Sequence, residues 1–218
     1  MRAPPERAFV DGAAGRIEVA VSMVEAPRAV AVVAHPHPLY GGTMDNKVVT
    51  TVARAFADKG ATTLRFNFRG VGSTEGAHDE GRGETDDCLA VIAHARKIAG
   101  ELPLWLAGFS FGGAVAVRAS AREEFAHLVL VAPAFRRLTG HGLGEAPDPN
   151  DPELGQEGRH SLANTLVVHG DRDETVILAD SIAWATPRDV PIVVVPGADH
   201  FFHRKLHIVR DAVGRWVT

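Results

Sequence analysis

A serine between two glycines is the residue of this chain whose surroundings most clearly predict chemistry. The segment G-F-S-F-G-G carries Ser110 near its centre, between a strand-like run at 104–109 and a helical pattern at 111–122. A serine in such a strand–turn–helix context sits on a sharp, strained turn that needs small residues two positions away on either side. Gly108 and Gly112 meet that need. We therefore predict Ser110 to be a nucleophile, next to a helix N-terminus that favours negative charge.

A serine hydroxyl attacks only when a base takes its proton, and the C-terminal part of the chain provides a histidine and several acids. The segments H-G-D-R-D-E-T-V (169–176) and P-G-A-D-H-F (196–201) follow two consecutive predicted strands. Loops after parallel strands meet at the carboxyl edge of a sheet, where open α/β sheets place their sites. We predict His200 as the base, and on the residues alone Asp173 and Asp171 both stay open as the acid that orients it.

The other histidines near these motifs are interpreted as structural. His169 ends a buried strand and is predicted to be a satisfied core histidine, whereas His203 and His207 are predicted at the surface or edge of the last helix. His35 and His37 are expected to brace their loop through side-chain hydrogen bonds rather than to transfer protons.

Two backbone donors are needed where negative charge develops on an attacked carbonyl oxygen. The N–H of Phe111, directly after the serine, is the predicted first donor. The loop H-P-H-P-L-Y-G-G, after the strand-like run 29–34, must provide the second. Pro36 and Pro38 are excluded because proline has no N–H.

Short β-branched runs alternate with helical patterns, which predicts an α/β fold with a mostly parallel sheet and helices on both faces. The predicted strands form a hairpin over 8–24 and then lie at 29–34, 62–68, 104–109, 127–134, 165–169 and 192–195. The predicted helices run from Asp45 or Asn46 to Gly60 and over 85–99, 111–122 and 205–217. Residues 135–164 are polar and rich in Pro and Gly, and we interpret them as a functional loop, too short and irregular for a helical lid.

Composition limits the class of protein. The 218 residues, 45% hydrophobic and 23% charged, predict one soluble domain over 1–218, and the net charge of −4 argues against a nucleic-acid partner. The chain shows neither a secretory h-region nor an apolar run long enough for a membrane span. Cys88 is the only cysteine, so no intrachain disulfide forms. We expect a cytoplasmic monomer or small homo-oligomer.

Three segments resemble the triad loops of the α/β-hydrolase superfamily: G-F-S-F-G-G, H-G-D-R-D-E-T-V and G-A-D-H-F. The stretches H-P-H-P-L-Y-G-G-T-M-D-N-K-V-V and N-F-R-G-V-G-S-T-E-G further resemble small, lidless bacterial members related to dienelactone hydrolases and carboxylesterases. The resemblance covers nearly the whole chain. It implies an α/β-hydrolase fold without a helical lid, a triad of Ser110, Asp173 and His200 in the superfamily's chain order, and no metal or organic cofactor.

The resemblance also selects among the open candidates. Family patterns of the H-G-x-x-D-x-x-V type place the catalytic carboxylate at the fifth position, which implies Asp173 and leaves Asp171 as a turn-forming aspartate. In related hydrolases the second oxyanion donor follows a His-Gly pair; a His-Pro pair stands in that place here and implies the N–H of Leu39. Tyr40 is the alternative donor, and its ring is expected to line the substrate pocket.

The implied reaction is hydrolysis of a small or short-chain carboxylic ester through an acyl-enzyme. Thioesters and lactones are alternative substrates for the same triad. Long-chain lipids are disfavoured because the sequence has no lid and little apolar insertion.

Two functions of other classes compete with this one. A metallohydrolase is suggested by His200, His203 and His207 at helical spacing with Asp199 beside them, but the chain lacks a signature such as H-E-x-x-H. A non-catalytic binding protein is the other, because fold alone does not establish function. Such proteins usually lose a triad member, and all three stand in matching loops here.

Two groups of basic residues are interpreted as structural rather than as contacts for an anionic substrate. Arg69, in the N-F-R-G-V-G turn, is expected to pair with carboxylates of residues 70–87. The long loop carries basic residues that we expect to be solvated. They are Arg136, Arg137, Arg159 and His160.

Overall fold

The computed structural model describes residues 3–135 and 162–217, in which eight strands form one sheet. The strands are β1 (Glu6–Gly12), β2 (Gly15–Ser22), β3 (Ala29–Ala34), β4 (Ala61–Phe66), β5 (Leu104–Phe109), β6 (His127–Val131), β7 (Thr165–Gly170) and β8 (Ile192–Val195). The helices are α1 (Lys47–Asp58), α2 (Arg82–Ala99), α3 (Phe111–Ser120), α4 (Leu178–Ala185) and α5 (Leu206–Trp216). Most of the predicted loop 135–164, including Arg136, Arg137, Arg159 and His160, lies outside the described residues.

The strands are ordered β1-β2-β4-β3-β5-β6-β7-β8 across the sheet. β2 is antiparallel to β1 and β4. The other six strands, β3 to β8, are parallel to one another. The predicted α/β fold class with a mostly parallel sheet is therefore confirmed. Because parallel strands share one direction, the loops that follow β3, β5, β7 and β8 leave the sheet at the same edge.

Apolar side chains cover both faces of the sheet. Val30 and Val32 of β3 belong to the cluster that includes α2 and α3, whereas Ala31 and Val33 belong to the cluster that includes α1 and α5. Every residue of β3 is buried, as expected for a strand covered on both faces. None of the helices in the described residues is long and apolar enough to cross a bilayer.

Some element boundaries differ from the predicted ones for local reasons. β6 ends at Val131 instead of residue 134, because Ala132 turns the chain with a φ of 42°. α2 begins three residues before Thr85, since the buried Glu84 carboxylate accepts the N–H groups of Asp79 and Gly81 ahead of it. Helix α4 was not predicted at all.

Candidate active site

The turn between β5 and α3 holds Ser110 in an unusual backbone conformation. Its φ is 56° and its ψ is −119°, a region that a residue with a side chain occupies only under strain. The Ser110 N–H donates to the Val131 carbonyl at 2.9 Å, and its own carbonyl accepts the Ala134 N–H at 3.0 Å. The turn is thus fixed by hydrogen bonds to the end of β6 and to the residues that directly follow it.

The glycines on either side of Ser110 allow the backbone to pack this closely. A Cβ added to Gly108 would lie 2.0 Å from the Gly112 carbonyl oxygen, and one added to Gly112 would lie 2.4 Å from the His35 carbonyl oxygen. Both contacts are with backbone atoms, which cannot move aside as a side chain can. The predicted need for small residues at these two positions is therefore borne out by the packing.

The side chains of Ser110, His200 and Asp173 form a continuous chain of hydrogen bonds. His200 Nδ1 lies 2.6 Å from Asp173 Oδ2, and His200 Nε2 lies 3.0 Å from Ser110 Oγ. Because a carboxylate only accepts, Nδ1 carries the proton, and in the neutral ring Nε2 accepts the serine O–H. All three residues are buried. This is the arrangement in which an imidazole can remove a proton from a serine hydroxyl.

Asp173 is stabilised as a carboxylate by donors on both of its oxygens. Oδ1 accepts the N–H groups of Thr175 at 2.9 Å and Val176 at 2.8 Å. Burial acts to raise the pKa of Asp173, but the nearby N–H of His169 and the hydrogen bonds from His200 and Val176 outweigh burial and hold that pKa well below its usual range. Asp173 is therefore ionised at neutral pH.

The structure brings Asp171 to a different partner. Its exposed carboxylate accepts the N–H of Gly197 at 2.5 Å, and the adjacent Arg172 N–H donates to the Ala198 carbonyl at 3.0 Å. Asp171 therefore joins its own loop to the loop that carries His200, instead of closing a turn within its own backbone as expected.

Aromatic rings surround the His200 imidazole. The ring centroids of Phe109 and Phe201 lie 4.9 Å and 5.2 Å from that of His200. Phe202 is fully buried beneath the loop and has a φ of 53°, whereas Phe201 is 46% exposed. Phe202 therefore packs fully under the loop, whereas the Phe201 ring is partly open to solvent.

The histidines of the metallohydrolase hypothesis do not converge. His200 faces Ser110, and the exposed His203 is bonded through Nδ1 to Asp199 at 2.6 Å. Exposed His207 belongs to α5. Within residues 3–135 and 162–217, no group of three or more His, Cys, Asp or Glu side chains is arranged to hold a metal ion.

The loop after β3 lies beside the nucleophile turn, with the ring centroids of His37 and Phe111 4.8 Å apart. The N–H of Leu39, the predicted second oxyanion donor, donates to His37 Nδ1 at 3.3 Å. The N–H of Tyr40, the alternative, donates to the His37 carbonyl at 3.2 Å. Both groups thus make hydrogen bonds within a 3-10 turn over Pro38–Tyr40, and the second oxyanion donor stays a prediction. The Tyr40 ring contacts His37 edge-on and is 75% exposed.

His35 braces this loop as predicted. Its Nδ1–H donates to the Pro36 carbonyl at 2.6 Å, and its Nε2 accepts the Phe68 N–H at 3.0 Å. The ring is fully buried, and burial lowers the pKa of His35 to about 4, although the bond to Pro36 acts in the opposite direction.

We expect His35 to make the protein about 3 kcal/mol less stable at pH 4 than at pH 7. An unfolded histidine binds its proton near pH 6.5, whereas the buried His35 does so only near pH 4. The unfolded state therefore binds more protons between these values, and stability is lost as the pH falls. Urea unfolding of the wild type and His35→Gln across this range measures the effect, since glutamine can donate and accept without titrating. Identical pH dependence in the two proteins would contradict it.

Arg69 is bound to a buried carboxylate, as predicted. Its Nε and one terminal nitrogen donate to the two oxygens of Asp87 at 3.0 Å and 2.7 Å, and its backbone N–H also donates to Asp87. These hydrogen bonds raise the pKa of Arg69 further. The guanidinium therefore ties the N-F-R-G-V-G turn to α2.

Comparisons with known proteins agree with this fold. A family model described as serine aminopeptidase, S33, matches residues 25–146. A serine hydrolase homologue from Coxiella burnetii is 34% identical, covering 98% of this chain and 97% of its own, with a TM-score of 0.82. A serine hydrolase from Xanthomonas campestris, described as without lid, is 37% identical, covering 100% and 95%, also with a TM-score of 0.82. An uncharacterized protein from Rickettsia prowazekii is 30% identical over 96% of this chain and 87% of its own.

The matches at sequence level extend over most of the chain, and the two structural matches reproduce its fold from end to end. The chain therefore belongs to the α/β-hydrolase superfamily, in the family that the S33 serine aminopeptidase model describes.

Proposed function

We propose that this hydrolase cleaves small or short-chain carboxylic esters through an acyl-enzyme on Ser110. The observation that carries the proposal is the unbroken hydrogen-bond chain from Asp173 Oδ2 through the His200 ring to Ser110 Oγ. It supplies a nucleophile, a base and a group that orients the base, within one buried cluster at the carboxyl edge of the sheet.

In the proposed first step, His200 Nε2 takes the Ser110 proton while Oγ attacks the ester carbonyl carbon. Asp173 holds the imidazole in the tautomer with its proton on Nδ1 and stabilises the imidazolium that forms. The imidazolium then gives its Nε2 proton to the departing alkoxide. In the second step the same nitrogen takes a proton from water, which attacks the acyl-enzyme carbonyl carbon. The imidazolium then returns that proton to Ser110 Oγ as the acyl–Oγ bond breaks and the acid leaves. Only groups of the chain and water take part.

The negative charge of each tetrahedral intermediate needs two backbone donors. We assign the first to the N–H of Phe111, the first residue of α3, where the helix N-terminus also favours negative charge. The second belongs to the loop after β3, in which Pro36 and Pro38 have no N–H to give. The Leu39 N–H can serve only after it leaves His37 Nδ1, so its use requires the His37 ring to turn when substrate binds.

Small substrates are favoured by the relationship to a hydrolase described as without lid. A hydrolase of that kind has no apolar flap to cover a long acyl chain. The exposed Phe201 ring, in contact with His200, offers apolar surface for a short acyl or alcohol group.

The test is fluorophosphonate labelling, with the modified residue located by peptide mass spectrometry, alongside hydrolysis of p-nitrophenyl acetate and butyrate. We expect labelling at Ser110, loss of hydrolysis in step with labelling, and no effect of EDTA. Short-chain acyl thioesters and aminoacyl p-nitroanilides are assayed in parallel, the latter because of the description of the family model. If thioesters or anilides give a higher kcat/KM than the p-nitrophenyl esters, that substrate class replaces carboxylic esters in the proposed function. A folded protein that the probe does not label at Ser110 would support the binding-protein alternative.

A further inference from the structure

Asp173 is contacted from behind by a second histidine, which has no part in the proposed mechanism. His169 Nε2 lies 3.4 Å from Asp173 Oδ2, the same oxygen that accepts the His200 Nδ1–H at 2.6 Å. The His169 side chain is fully buried. A separation of 3.4 Å is longer than an ordinary hydrogen bond, so the contact is that of an N–H dipole beside a carboxylate.

The partners of His169 define its protonation state. Nε2 lies 2.8 Å from the Val176 carbonyl oxygen, which can only accept, so Nε2 carries a proton. Nδ1 lies 2.8 Å from the hydroxyl of Ser181, a fully buried residue of α4, and the hydroxyl can donate to it. These two bonds place an N–H on Nε2, which donates to the Val176 carbonyl and lies beside Asp173 Oδ2.

His169 also acts on the carboxylate through Val176. The Val176 carbonyl accepts the His169 Nε2–H, and the Val176 N–H donates to Asp173 Oδ1 at 2.8 Å. The histidine therefore holds the turn that supplies a donor to one oxygen of Asp173, and it places its own N–H beside the other oxygen.

We propose that His169 is a positioning residue for the reaction, fixing the Asp173 carboxylate so that Oδ2 faces the His200 Nδ1–H. A series of polar contacts then extends from Ser181 on α4 through His169, Asp173 and His200 to Ser110, and every step except the 3.4 Å contact of His169 with Asp173 is a hydrogen bond. The inference rests on the proposed function, because His169 acts through the same aspartate, histidine and serine.

Three variants test this role. His169→Leu removes both ring nitrogens, whereas the amide NH₂ of His169→Gln can take the place of Nε2–H. His127→Leu is the matched control, since His127 is the first residue of β6 and lies at the opposite edge of the sheet. For p-nitrophenyl butyrate we expect His169→Leu to lower kcat about 10²-fold with little change in KM, and His169→Gln to stay within about fivefold of wild type. The control should keep wild-type kcat.

A second measurement needs no substrate. The proton on His200 Nδ1, hydrogen-bonded to Asp173, is expected to give a downfield resonance in the proton NMR spectrum. We expect that resonance to shift or broaden in His169→Leu and to stay in place in His169→Gln. If the wild type hydrolyses no ester, the proposed function fails, but this resonance still tests the effect of His169 on the Asp173–His200 pair.

Wild-type kcat or an unchanged resonance in His169→Leu would overturn the inference, and so would equal losses in the Leu and Gln variants. If His169→Leu does not fold, as judged by circular dichroism, His169→Asn takes its place under the same criteria. Asparagine keeps a polar group near Ser181 but is too short to reach the Val176 carbonyl.

Discussion

Ser110→Ala is expected to lower kcat for p-nitrophenyl butyrate by about 10⁴–10⁶-fold, because removing the nucleophile disables the hydrogen-bonded group as a unit. The hydroxyl lies 3.0 Å from His200 Nε2 and is the only atom lost from the site. Steady-state hydrolysis, corrected for the uncatalysed reaction, measures the loss. Fluorophosphonate labelling of the same variant should disappear.

The matched control for this change is Ser120→Ala. Ser120 is also buried and is the last residue of α3, the helix that follows Ser110, but its hydroxyl donates to the Val117 carbonyl at 2.7 Å. We expect the control to keep the wild-type kcat and to report only the stability lost with one hydrogen bond, about 1 kcal/mol. A Ser110→Ala enzyme that retains activity would refute the proposed mechanism.

Asp173→Asn is expected to lower kcat about 10⁴-fold, whereas Asp171→Asn should stay within about tenfold of wild type. An asparagine NH₂ that faces His200 Nδ1 donates instead of accepting, which moves the imidazole proton to Nε2. Nε2 then cannot accept the Ser110 proton. Each variant replaces one carboxylate oxygen by an amide NH₂, and both residues lie in the same loop. The comparison therefore isolates the effect of the bond to His200.

The measurement is kcat and KM for both variants, with thermal unfolding as a check on folding. Asp171→Asn should mainly affect stability, because its carboxylate bonds Gly197 and links the two loops of the site. If Asp171→Asn is the damaging change and Asp173→Asn is harmless, the assignment of the acid is reversed.

The two loops of the site are also tied to each other by backbone bonds, which bears on how rigidly the acid and the base are held. The Asp171 N–H donates to the Val195 carbonyl and the Arg172 N–H to the Ala198 carbonyl, while the Asp171 side chain binds Gly197. Preorganisation of this kind keeps the 2.6 Å contact of His200 with Asp173 in place before substrate binds.

Local patterns in the sequence predicted the parts of the molecule that local forces determine. The buried strands, the helix of residues 47–58 and the glycines around Ser110 follow from β-branched runs, four-residue spacing and the space that a sharp turn needs. Ser110, Asp173 and His200 were each predicted from their segments, and in the structure they are joined by hydrogen bonds. These three residues lie at the same edge of the sheet because the strands that precede them are parallel. The alternation of strand and helix patterns in the sequence predicts such a parallel sheet.

Tertiary structure decided the features that depend on residues distant in the chain. Helix α4 was missed because Asp180 and Ser181 interrupt its apolar pattern, yet Ser181 is buried since it bonds His169, twelve positions earlier. Leu39 was chosen from a His-Pro pair, but the His37 side chain folds back and binds that N–H.

The choice between Asp171 and Asp173 was open on the residues alone, and only resemblance favoured Asp173. In the structure, Asp173 reaches His200 while Asp171 reaches Gly197, and both partners lie in the loop after β8. The sequence by itself therefore determined which segments meet at the candidate site, because strands and sharp turns are specified by neighbouring residues. Which atoms meet was decided by the packing of loops that are far apart in the chain, since a hydrogen bond depends on ångström-scale placement that no local pattern encodes.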